Sequence, residues 1–173
     1  MAYFAVFDRI APAQNKYMAT LWNDAAGRVV IVDRVYRFNW QVSAVTGVLL
    51  EQELRFITAR AAGTGVQIQT EDSNDAPTAG IACDTGSTSV TEGAGSRALI
   101  KRFHAPSEEV ALAGAWGLAH IAGHINDAQM VWYRKAGSSG LVLRQTQGLT
   151  IKNLTNSTIG TCSYAIEFRD MTA

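Results

Sequence analysis

The residues best placed to do chemistry are three histidines. His120 and His124 stand four apart, which puts two imidazoles on one face of a helix. A zinc peptidase carries such a pair with a glutamate directly after the first histidine to activate water. Here that position is Ile121. No third ligand is defined nearby, so the pair is expected to be structural and no metal ligand is assigned. Adding His104 would give a three-histidine set of the kind a cupin-like enzyme holds on a β-barrel. That alternative requires about one metal per chain.

Other catalytic patterns are incomplete. Ser138 and Ser139 lie between Gly137 and Gly140, but the spacing does not make a nucleophile elbow. Gly93-Ala94-Gly95-Ser96 lacks the Lys-Ser/Thr ending of a phosphate loop. Glu51 with Glu53, and Glu108 with Glu109, are paired acids outside any aromatic cluster that would raise a pKa, and they read as solvated faces. Cys83 and Cys162 allow one bridge at most; two reduced thiols are the expectation. Asn153-Leu154-Thr155 and Asn156-Ser157-Thr158 fit the glycosylation pattern, yet the opening residues do not form a signal peptide, so they read as a polar hairpin turn. The sequence therefore predicts no catalytic residue, no cofactor and no metal.

Whatever positions these residues is one domain spanning 1–173, since single cores form at roughly 100–200 residues. Fifteen basic residues balance fifteen acidic ones, and 47% of the chain is hydrophobic. A zero formal charge with scattered Arg34, Arg37, Lys101, Arg102, Arg134 and Lys135 argues against a nucleic-acid partner. No run approaches the roughly 18 apolar residues of a membrane helix, so no membrane partner is expected.

Period-two alternation dominates the chain. Cys162, Tyr164, Ile166 and Phe168 fall on one side of a segment whose other side carries Thr161, Ser163, Ala165, Glu167 and Arg169, the pattern of a half-buried strand. Tyr36, Phe38 and Trp40 alternate with Arg37, Asn39 and Gln41 in the same manner, and Val29–Val32 suits a strand covered on both faces. Further strands are predicted at Tyr3–Asp8, Tyr17–Asn23, Leu54–Arg60, Ala98–His104, Leu141–Arg144 and Leu149–Asn153. Thr70–Ser96, poor in apolar residues, is expected to be one long polar loop with at most a short strand near Val90. Ser107–Ile125 is the single candidate helix, opened by Ser107 as N-cap and weakened by Gly114, Gly117 and Gly123. The fold class is all-β, an antiparallel, jelly-roll-like sandwich.

Most tryptophans, tyrosines and phenylalanines are expected in the core. The N-terminal Tyr3-Phe4-Ala5-Val6-Phe7 differs, because its apolar side chains occupy both strand faces. Either its own domain or a neighbouring copy must cover it, with residues 1–8 as an arm or exchanged strand in the second case. Tyr3, Phe4, Val6 and Phe7 are the candidate assembly interface.

Several stretches together resemble small virion proteins of tailed bacteriophages. Lys16–Asn23, ending in Trp22-Asn23 and followed by Val29–Tyr36, resembles their opening strands, and Glu51–Arg60 with Gly63-Thr64 their central strand. Leu143–Lys152, then Gly160 and Tyr164–Phe168, resembles their closing hairpin, although Gln145-Thr146-Gln147-Gly148 replaces the more usual Pro-Gly-Glu-Gly. The resemblance covers about two-thirds of the chain as degenerate strand patterns. It implies a capsid decoration (cement) protein on the capsid exterior, made in the host cytoplasm, with the major capsid protein and copies of itself, as a trimer, for partners. A tail or fibre module that binds a host glycan through the Thr70–Ser96 loop and exposed tryptophans is the alternative.

Overall fold

Alternating burial builds this molecule strand by strand. A computed structural model describes residues 2–40, 49–72, 74–95, 98–106, 129–156 and 160–173. The expected helix at Ser107–Ile125 lies outside the described residues, as do His120, His124 and Trp116.

The strands are β1 (Ala2–Ile10), β2 (Tyr17–Asn23), β3 (Arg28–Trp40), β4 (Leu49–Ala61), β5 (Thr64–Val66), β6 (Ile68–Thr70) and β7 (Ile81–Thr85). They continue as β8 (Thr88–Glu92), β9 (Leu99–Pro106), β10 (Gln129–Tyr133), β11 (Leu141–Leu143), β12 (Gln147–Asn153) and β13 (Thr161–Thr172). A front sheet runs β10-β3-β13-β1-β6, with β11 also on β3; a back sheet runs β5-β7-β2-β12-β4-β8, with β9 also on β4.

The pairing is nested from the chain ends inward. β1 pairs β13, β2 pairs β12, β3 pairs β10 and β11, and β4 pairs β8 and β9, all antiparallel. Successive pairs go to opposite sheets, so one long folded hairpin wraps into a two-layer jelly roll. Between the layers lie Phe7, Met18, Leu21, Leu54, Ile151, Tyr164, Ile166 and Phe168, each nearly or fully buried. Each such side chain contributes about 1.5–3 kcal/mol of transfer free energy.

Two expectations need correction. The Thr70–Ser96 region carries the short strand expected near Val90, as β8, but it is not otherwise one long loop, since β7 falls inside it as well. β7 is bonded on both sides, by β2 and β5, and buries Ile81 and Cys83. Its backbone ladder and the β-branched threonines of β8 stand in for the missing apolar pattern. This excursion also sends β6 to the front sheet beside β1, so it extends both layers at one edge.

The second correction concerns β3. Glu167 faces Arg34 and Phe168 faces Val32, which leaves Asp33 without an opposite residue. A single extra residue reverses which side chains point inward beyond it. Val30 and Val32 are buried before the bulge, Val35 and Arg37 after it. Arg37 thus lies inside, 2% exposed, with Nη2 donating to Cys162 Sγ at 3.3 Å, while Tyr36 and Phe38 turn outward and are half-buried. Val29 and Ile31 are likewise only half-buried, so the β-branched run is fully covered on one face.

Candidate assembly face

The two outer faces of the sandwich are built from opposite chemistry. Directly opposed residues in an antiparallel pair share a face, so the registers define rows across each sheet. On the front sheet one row reads Val6, Ala165, Tyr36, Met130 across β1, β13, β3 and β10. The neighbouring row reads Phe4, Glu167, Arg34, Tyr133 across the same four strands. Phe4 is 37% exposed, Val6 50%, Met130 46% and Tyr133 52%. Arg34 reaches Glu167 at 3.3 Å, and the Tyr36 and Phe38 rings lie 6.4 Å apart.

Of the four residues singled out in the sequence, the structure sends Phe4 and Val6 to this face. Tyr3 and Phe7 point the other way, into their own core, where Tyr3 packs on Phe168 at 5.4 Å between ring centroids. β1 is paired on both sides within its own chain, by β13 and β6. Sequence reasoning missed Tyr36, Met130, Tyr133 and Ala165. The adjacent polar residues Asp33 and Arg34 were the available signal, because two polar positions in succession break the alternation of the β-branched run. Asp33, the bulge residue, is held by Arg134 Nε at 2.6 Å and Arg169 Nε at 3.5 Å.

The outer face of the back sheet is closed with charge. One row joins Lys152, Glu53 and Arg102 across β12, β4 and β9, and the next joins Asp84, Thr20, Thr150 and Arg55 across β7, β2, β12 and β4. Glu53, expected on a solvated face, is instead buried and accepts hydrogen bonds from Arg55 and from Arg102 Nε, the latter at 2.8 Å. Burial would raise its pKa, yet those two guanidiniums outweigh burial and hold it below the ordinary value. Glu92 pairs with Arg55, with Lys152 Nζ at 2.8 Å, and with the Tyr17 hydroxyl at 3.1 Å. Burial and then Glu92 push the Tyr17 phenol up to about 12. Beyond Ile57 the end of β4 leaves β12 and crosses this face toward β5 on the far edge. There Arg60 pairs with Asp84 and stacks 5.5 Å from the Trp22 ring centroid. Gly63 donates its N–H to Asp84 Oδ1 at 3.2 Å.

For catalysis or metal binding the described residues offer little. Among them no group of three or more His, Cys, Asp or Glu is placed to hold a metal ion. His104 is exposed on β9, opposite Glu51; the other two histidines of the cupin-like set lie outside the described residues. Cys83 and Cys162 are free, buried thiols in different sheets. Trp22 and Trp132 are half-buried and not the exposed platforms that a glycan site would need. Asn153, the first acceptor asparagine, is fully buried and donates to the carbonyls of Ala13 and Thr155, both at 2.9 Å. The chain matches no family model, no curated protein and no solved structure.

Proposed function

We propose that this chain is a structural subunit of a bacteriophage virion, a capsid-decorating (cement) protein that bridges major capsid proteins on the capsid exterior. The observation that carries the reading is the front-sheet face: two rows in which Phe4, Val6, Met130 and Tyr133 are 37–52% exposed, on a jelly roll whose other outer face carries a network of ion pairs. Large exposed apolar patches on otherwise polar surfaces mark protein-binding sites. Jelly rolls serve viral capsids as well as lectins and cupins, so the fold is compatible with this role without dictating it. The strand-pattern resemblance to tailed-phage virion proteins supports the same role, and the balanced charge fits partners that are proteins and not nucleic acid.

The mechanism is contact area. An interface of standard size removes about 800 Å² per partner, and repetition over a particle multiplies a modest affinity into a rigid shell. Quantitative mass spectrometry of purified virions tests this. Copy numbers comparable to the major capsid protein are expected; a handful of copies per particle overturns the cement role.

A further inference from the structure

We infer that the outer face of the front sheet is self-complementary and pairs two copies of this chain about a twofold axis lying between β3 and β13, along the strands. The inference names a second copy of this chain as the partner of this face, in a pair and not the expected trimer. It rests on the reading of the chain as an assembling subunit and leaves contact with the major capsid protein to other surfaces of the pair. Its basis is the order of residues in the two rows.

A face-to-face twofold along the strands reverses each row across the sheet. The row Phe4, Glu167, Arg34, Tyr133 then lies on its own reverse. Glu167 of one copy meets Arg34 of the other, and Phe4 meets Tyr133. The row Val6, Ala165, Tyr36, Met130 does the same: Val6 meets Met130, and small Ala165 meets large Tyr36. Both rows are therefore palindromes in chemistry, acid on base, apolar on apolar and small on large. A twofold interface requires this, because each patch must complement itself. Small-on-large alternation lets two facing sheets interdigitate at their usual spacing of about 10 Å.

The charges strengthen the case. Arg34 and Glu167 are 54% and 39% exposed at their side chains, and already paired within the chain. Stacking two copies turns this pair into a closed ring of four alternating charges, while Arg169 in the next row stays paired with Asp33 of its own chain. A groove of about 290 Å³ beside Phe4, lined also by Glu71 and Glu167, offers space and acceptors for the incoming Tyr133 ring and hydroxyl. Four large side chains about half exposed present on the order of 400 Å² of mostly apolar surface per copy. With their rims, two copies bury roughly 1,200 Å², the lower end for a specific interface. The pairing is thus expected to be reversible and concentration-dependent, not obligate.

Sedimentation of the full chain across a concentration series tests it. The wild-type chain is expected to move from monomer to dimer. Ala165→Arg, which drives a long charged side chain into the centre, should weaken dimerisation at least tenfold while circular dichroism stays unchanged. Arg34→Glu and Glu167→Arg should each be monomeric alone. An equimolar mixture of the two should dimerise, because every interchain contact is then acid on base; an intrachain role for the pair cannot produce that rescue. A wild-type chain that stays monomeric leaves the face to another capsid protein and overturns the pairing, as does a mixture that fails to associate. Monomeric protein found at high copy number in virions would sink only the dimer. A dimer absent from virions would sink only the decoration role.

Discussion

The two outer faces of the sandwich solve the same problem in opposite ways. Each sheet buries one side against the other and must do something with the side left over. The back sheet fills it with Glu53, Arg55, Glu92, Arg102 and Lys152, then draws the end of β4 across it, so that Thr20, Thr150 and Ile57 are fully buried without belonging to the central core. The front sheet leaves Phe4, Val6, Met130 and Tyr133 in water. The difference teaches which face is finished. A face already filled by paired charges has little to gain from a partner, whereas exposed apolar rows gain free energy when an apolar surface covers them.

The largest expected disruption lies on the closed face. A Cβ at Gly63 would sit 1.9 Å from the Thr85 carbonyl oxygen, a backbone atom that no side-chain rotation can move away. Gly63→Ala is expected to lift the β4–β5 crossing and cost more than about 3 kcal/mol, beyond the usual range of overpacking, as measured by urea unfolding. An unchanged midpoint would mean that the crossing contributes nothing to closure.

Next comes the centre of the charge network. Glu53→Gln leaves Arg55 and Arg102 facing an amide on a side chain only 1% exposed. The expected loss is about 2–3 kcal/mol, below that of a fully enclosed pair because half of Arg102 stays in water. The same network sets an acid limit. Glu53 and Glu92 both titrate below their ordinary 4.5 in the folded chain. Their stabilisation is therefore complete above about pH 4.5 and lost as pH falls through the lowered values. Wild-type stability followed by denaturant titration should drop in that window, and the drop should shrink in Glu53→Gln.

The smallest effect on folding belongs to the open face. Phe4→Ser and Val6→Ser remove partly exposed side chains and should each cost the monomer no more than about 1 kcal/mol. Particle or self-association measured by sedimentation should nevertheless weaken. If instead both substitutions unfold the chain, the front face is part of the core and the contrast between the two faces is lost.

How much of this was legible beforehand varies by strand. In β13 alternation was enough: Cys162, Tyr164, Ile166 and Phe168 are buried as their period predicts, and β2 runs over the predicted Tyr17–Asn23. The candidate interface was half legible, since Phe4 and Val6 are exposed but Tyr3 and Phe7 are core. For Tyr36 and Phe38 the alternation was correct and the direction reversed, because one bulge at Asp33 flips every side chain after it.

Local pattern alone determined that this chain forms many short strands with one apolar side each, because side chains alternate on any extended backbone. Only the tertiary structure decided which side of β3 faces inward, that Ile81–Thr85 becomes an internal strand, and that Phe4, Val6, Tyr36, Met130 and Tyr133 meet on one surface. Register, bulges and strand order are set by the partner across each ladder, and that partner lies up to 167 residues away, as with Ala2 and Arg169 near the two ends.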